Sequence, residues 1–234
     1  MSTLSEPERE IAVQQLRERL DYRFDRPQLL LQALTHPSLQ PGSAGRGPYE
    51  RLEFLGDRVL GLVVADMLYR RFANENEGAL ARRHAALVRR EALARVAGQI
   101  GLAEALALSR GEEETGGRQN IGTLADATEA VLGALFADGG LAAASPLITR
   151  LWTPLMEEMA DPPKDAKTAL QEWAQARAKG LPVYSTLAVD GPAHSPDFHI
   201  EVAIEGVAGA VGRGPSKRAA EQAAATALLE RLPA

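Results

Sequence analysis

The stretch Tyr49–Tyr69, YERLEFLGDRVLGLVVADMLY, constrains this chain more than any other. It holds no Pro and its only Gly residues are Gly56 and Gly61, so it reads as one helix of several turns. At 100° per residue, Glu50, Glu53 and Asp57 fall within an arc of roughly 60°. Leu52, Phe54, Leu55, Val59, Leu60, Leu62, Val63, Val64, Met67 and Leu68 point in nearly every direction. A helix apolar all round is normally buried. Carboxylates on such a helix must be neutralised by protonation, basic partners or metal.

The rest of the chain has to bury this helix. With 45% hydrophobic but only 5% aromatic residues, the core is built mainly from Leu, Ala and Val. Residues 5–20 read as an amphipathic helix with Ile11, Leu16 and Leu20 on one side. A second helix starts at Arg26-Pro27, with Pro in a favourable first-turn position. Residues 39–48 form a Gly/Pro-rich loop, and Asn74, Asn76 and Gly78 end the long helix. Residues 79–97 read as one helix with Arg82, Arg83, Arg89 and Arg90 on its basic face, followed by a short helix at 102–108. The polar, Gly-rich run 109–121 is expected to be a mobile surface loop. Residues 123–137 resume the helical pattern with Asp126 and Glu129 at i and i+3, on one face. A last helix covers 141–159.

Residues 1–159 thus form an all-α domain, and Asp161-Pro162-Pro163-Lys164 marks a linker at 160–165. Beyond it come a helix at 166–178, strands at 182–189, 198–204 and 207–213, and an Ala-rich helix to Leu232. The order α-β-β-β-α makes residues 166–234 a separate small α+β domain, so the chain is multidomain.

Net charge is −5, so any nucleic-acid binding must come from local basic clusters. The absence of Cys excludes disulfides, thiolate metal sites and Cys nucleophiles. The charged start MSTLSEPERE lacks the apolar core of a signal peptide, and no run reads as long enough to span a membrane. A cytoplasmic protein with no membrane partner is expected. If the helix carrying Glu50, Glu53 and Asp57 packs on that carrying Asp126 and Glu129, four or more carboxylates converge, with Glu77 nearby in sequence. Such a set suits Mg²⁺, or Mn²⁺ in its place, and carboxylate-held divalent ions serve phosphodiester hydrolysis. The same spacing also fits acids exposed on solvated helices. His36 has no ligand partner at useful spacing and reads as structural. A second cluster, Ser216-Lys217-Arg218 at the start of the last helix, suits phosphate.

The run Glu50-Arg51-Leu52-Glu53-Phe54-Leu55-Gly56-Asp57, followed by Val59-Leu60, resembles the signature of ribonuclease III. Leu124-Ala125-Asp126 with Glu129, Thr35-His36-x-Ser38 and Glu77-Gly78 also resemble that family's pattern. The C-terminal part resembles a double-stranded-RNA-binding domain through Leu170-Gln171-Glu172, Gly191-Pro192-Ala193-His194 and Ser216-Lys217-Arg218-x-Ala220.

The resemblance implies a homodimeric, Mg²⁺-dependent endoribonuclease cutting both strands of duplex RNA, with no organic cofactor. Its products would carry 5′-phosphates, 3′-hydroxyls and short 3′ overhangs. It implies Glu53, Asp57, Asp126 and Glu129 as metal ligands, Asp57 and Glu129 as the principal catalytic residues, and Glu50 and Glu77 as accessory acids. Phe54 would contact the partner subunit. Gln171, Glu172, His194, Ser216, Lys217 and Arg218 would contact RNA. Tyr49 stands where the family usually has Asn, Arg58 where it usually has a small residue, and Gly122-Thr123 where Ser-Ile is usual. Glu221 occupies a position that is basic in many duplex-RNA-binding domains. Two other readings use parts of the same sequence. A non-catalytic RNA-binding regulator would not need the full acid set, and a helical hydrolase of small phosphates would not need the C-terminal domain.

Overall fold

Helices with few internal breakers make up the first part of the computed structural model, which describes residues 6–39, 47–159, 161–162, 166–192 and 196–232. The chain divides into two compact units, one up to residue 163 and one from residue 164. The expected linker at 160–165 and the loop at 39–48 fall largely outside the described residues.

In the first unit the helices are α1 (Glu6–Leu20), α2 (Pro27–Ala33), α3 (Pro48–Arg71), α4 (Glu77–Leu87), α5 (Arg90–Ile100), α6 (Leu102–Ala105), α7 (Arg110–Glu114) and α8 (Ile121–Glu157). At the centre α3 lies along α8, with α5 and α2 also against α8. The core between them is aliphatic: Leu60, Val63 and Val64 from α3 meet Ala127, Ala130, Val131 and Leu135 from α8. Each fully buried Leu or Val there contributes roughly 1.5–3 kcal/mol relative to exposure. Gly140 interrupts α8 with φ 66° and ψ −161°, where the sequence places the end of one helix and the start of the next. Just before the break, Asp138 turns its enclosed carboxylate to the start of α2. It accepts hydrogen bonds from the Tyr22 hydroxyl (3.1 Å) and the backbone N–H groups of Asp25 (2.8 Å) and Arg26 (3.1 Å).

Several sequence expectations are corrected here. The helix expected at 79–97 breaks at Val88-Arg89, where Arg89 is extended. The break leaves the Leu87 carbonyl to accept from the buried Trp152 indole N–H at 2.9 Å, so a tertiary bond replaces a helical one. Arg83 does not face solvent as Arg89 and Arg90 do. It is buried, donates to both Glu75 oxygens (2.9 and 2.7 Å) and the Met159 carbonyl (2.6 Å), and lies 3.9 Å over the Phe72 ring. The expected mobile loop at 109–121 instead contains α7 and a 3-10 turn at Gly117–Gln119. Arg118 pins it, buried and bonded to Glu113 (2.9 Å) and to the carbonyls of Ala103 and Leu106. Ile11 points outward while Ala12 and Val13 join Leu16 and Leu20 inside.

Nor is α3 buried all round: Phe54 (65% exposed), Leu62 (59%) and Tyr69 (74%) form an open stripe. They share an arc of roughly 80° on the helical wheel. Against the expectation that no run is long enough to span a membrane, α8 passes that test by length and composition. Here it serves as the core helix of the unit.

The second unit has α9 (Ala166–Ala176), β1 (Val183–Asp190), β2 (Asp197–Ile204), β3 (Val207–Gly214) and α10 (Lys217–Leu229). The sheet is antiparallel in the order β1-β2-β3, with Val183 opposite Ala203 and Phe198 opposite Gly214. Period-two alternation turns Val202, Ile204 and Ala210 inward, where Leu170 and Ala174 of α9 and Ala224, Ala225 and Leu228 of α10 cover them. The architecture is therefore an all-α domain followed by an α-β-β-β-α domain, as the sequence reading expects.

Candidate active site

The site grows from the way α3 and α8 touch. Pro48 occupies the first turn of α3 after an extended Gly47. Asn120 caps α8, its side chain accepting from the N–H groups of Gly122 (2.8 Å) and Thr123 (3.2 Å). The Gly122-Thr123 departure therefore sits within an intact cap. Further along, the two helices meet backbone to backbone. A Cβ on Gly56 would lie 1.7 Å from the Glu129 carbonyl oxygen, and one on Gly133 would lie 2.0 Å from the Leu52 carbonyl oxygen. Two glycines facing each other thus set the helix separation at the level of the acids.

The consequence is convergence. Oxygen atoms of Glu53, Asp126 and Glu129 lie within 4.8 Å of one another, and all three side chains are half-buried. Burial pushes the Glu129 carboxyl up to about 7, reinforced by Asp126 and Glu53 and opposed by Arg90 and Arg58. Glu53 is raised by burial, then by Asp126 and Glu50. Asp126 is raised by burial against the opposing effects of Arg90 and His36. Three carboxylates that resist ionisation together have the donor set of a hard, oxygen-ligated divalent cation. The cluster can bind such a metal.

Glu50 lies one turn before Glu53 and acts on it electrostatically. Asp57 lies one turn after Glu53, and its carboxylate pairs with Arg58, whose guanidinium also stands 5.1 Å over the exposed Phe54 ring. Asp57 is not among the oxygens of the three-acid cluster. Glu77 is exposed in the first turn of α4, also outside that cluster. His36 accepts from the Ser38 N–H at 3.2 Å and also acts on Asp126. In the second unit, Gln171 and Glu172 are exposed on α9, and Lys217 and Arg218 are exposed in the first turn of α10. Ser216 caps α10 by accepting from Ala219 N–H at 3.2 Å. Glu221 pairs with Lys167 of α9, so its charge is compensated within the domain. His194 lies outside the described residues.

Sequence reasoning did not assign Tyr49 or Arg90 to the site. Tyr49 is buried, and burial together with Asp126, Glu53, Glu129 and Glu50 raises its phenol far above the usual range. Arg90, at the start of α5, is the cation that acts on Glu53, Asp126 and Glu129 together. Only the packing of α5 on α8 brings it there, and no spacing within one helix signals that.

Residues 26–155 match the family described as Ribonuclease-III-like, and residues 166–232 match the double-stranded RNA binding motif. Ribonuclease 3 of Jannaschia sp. (strain CCS1) is 47% identical over 92% of this chain and 94% of its own length. Ribonuclease 3 of Dinoroseobacter shibae is 50% identical over 91% and 92% respectively. Among solved structures, the nuclease domain of ribonuclease III from Campylobacter jejuni is 37% identical, covering 65% of this chain and 98% of that one with a TM-score of 0.56. With both domains matched in order and curated relatives aligned over nearly their whole length, this chain belongs to the ribonuclease III family of double-stranded-RNA endoribonucleases.

Proposed function

We propose that this enzyme hydrolyses both strands of duplex RNA by a divalent-metal mechanism, leaving 5′-phosphate and 3′-hydroxyl ends with short 3′ overhangs. The observation that carries the proposal is the three-carboxylate cluster on the α3–α8 contact, whose acids resist ionisation without a compensating cation. Glu53, Asp126 and Glu129 would hold Mg²⁺, with Mn²⁺ able to substitute. Asp57, at i+4 from Glu53, is the proposed fourth ligand, and Asp57 and Glu129 are the principal catalytic residues. A cation bound there supplies Lewis-acid activation of water and of the phosphodiester. Overall, the water oxygen bonds to phosphorus, the P–O3′ bond breaks, and the 3′ oxygen takes up a proton. Glu50 and Glu77 support the site as accessory acids.

The open stripe of Phe54, Leu62 and Tyr69 supports a homodimer joined through α3. The structure of the Campylobacter nuclease domain described for its flexibility in dimer formation is 38% identical to this chain. In the small domain, Gln171, Glu172, His194, Ser216, Lys217 and Arg218 would read A-form RNA by shape, through phosphates and 2′-hydroxyls. Precursor ribosomal RNA and structured messenger RNA, met in the cytoplasm, are the proposed substrates. No membrane partner or organic cofactor is part of this proposal.

The test uses long perfect duplex RNA with and without Mg²⁺, with the product ends mapped. Glu129→Ala should abolish cleavage yet still bind duplex RNA in Ca²⁺. Normal Mg²⁺-dependent cutting by that variant would sink the metal assignment.

A further inference from the structure

Tyr49 stands out in the core of the first unit. It is only 2% exposed, and its hydroxyl has no hydrogen-bond partner among the described residues. A buried hydroxyl left unpaired is destabilising, whereas Phe would fill the same space without that cost. The ring packs edge-on to His36, centroids 5.9 Å apart. Glu50, Glu53, Asp126 and Glu129 all lie near enough to act on the phenol electrostatically. A tyrosine hydroxyl has one proton to donate, and carboxylates and the waters of a bound cation offer oxygen acceptors.

We propose that Tyr49 is a positioning residue of the metal site, its hydroxyl donating a hydrogen bond into the oxygen shell of the cation held by Glu53, Asp126 and Glu129. No carboxylate oxygen of the described residues is within hydrogen-bond distance of the hydroxyl, so the acceptor is a coordinated water. This rests on the divalent-metal reading above. Partners behind the ligands fix ligand orientation, and losing one typically costs 10–100-fold in metal affinity. Tyr49 would do this from the first turn of α3, one turn before Glu53.

The test compares wild type, Tyr49→Phe and Glu129→Ala. Mn²⁺ binding is followed by calorimetry, thermal melting in chelator, and the Mn²⁺ concentration giving half-maximal cleavage. Tyr49→Phe should weaken Mn²⁺ binding about 10-fold or more. It should raise the half-maximal Mn²⁺ concentration in step, with the rate recovering at excess metal. Because no protein hydrogen bond is lost, its metal-free melting temperature should stay unchanged or rise. Wild-type Mn²⁺ affinity in Tyr49→Phe would overturn the proposal while leaving the metal reading intact, as would a fall in metal-free stability with affinity unchanged. Equal Mn²⁺ binding by wild type and Glu129→Ala would overturn the metal reading, and the proposal with it.

Discussion

Glu129 is where the fold and the chemistry of the site oppose each other. Its carboxyl is raised to about 7 by burial and by the neighbouring Asp126 and Glu53. A carboxyl whose folded value lies above its unfolded one stabilises the protein fully below the unfolded value, near 4.5. That contribution is lost as pH rises through the folded value. Metal-free protein should therefore lose melting temperature between about pH 4.5 and 7.5, and Glu129→Gln should flatten that part of the profile. A profile equally steep in the Gln variant would assign the loss to other groups. The sequence shows that Glu129 shares a face with Asp126. The shift, however, comes first from burial, then from Asp126 and Glu53, and local spacing encodes neither the burial nor the arrival of Glu53 from another helix.

At the scale of elements, the meeting of α3 and α8 governs the site. Gly56→Ala would place a methyl 1.7 Å from the Glu129 carbonyl, backbone that cannot swing aside as a side chain can. We expect a loss of about 3 kcal/mol, at the upper end for overpacked cores, measured by urea unfolding. Metal affinity should fall with it, because the acids part as the helices do. The helix α3 was legible because its apolar pattern runs without a breaker from Leu52 to Leu68, and the interruption of α8 at Gly140 falls where the sequence places two helices. The break at Val88-Arg89 was not legible, since neither residue is a breaker and the stabilising partner, Trp152, lies far along the chain. The order in residues 109–120 was hidden for a related reason. A polar run looks mobile until Arg118 is seen reaching the carbonyls of Ala103 and Leu106.

At the scale of the whole molecule, a net-acidic chain must bind a polyanion through local charge. Residues 161–234 carry 8 basic and 9 acidic side chains, so that charge has to be segregated. Lys217 and Arg218 are exposed at a helix N-terminus, while Lys167 is engaged by Glu221. Replacing both Lys217 and Arg218 by Ala should weaken duplex RNA binding. It should also flatten the dependence of log affinity on log salt by about one to two units, measured by titration at several salt concentrations. An unchanged salt slope would remove these two residues from the RNA interface. The strand–strand–strand–helix order was readable from alternation and turns, but the pairing of Glu221 with Lys167 needed the packing of α10 on α9. The gap between the acid-bearing helices is gauged by bare main chain at Gly56 and Gly133, not by the girth of any side chain. That width is a main-chain dimension, and a side chain added at either glycine would widen it.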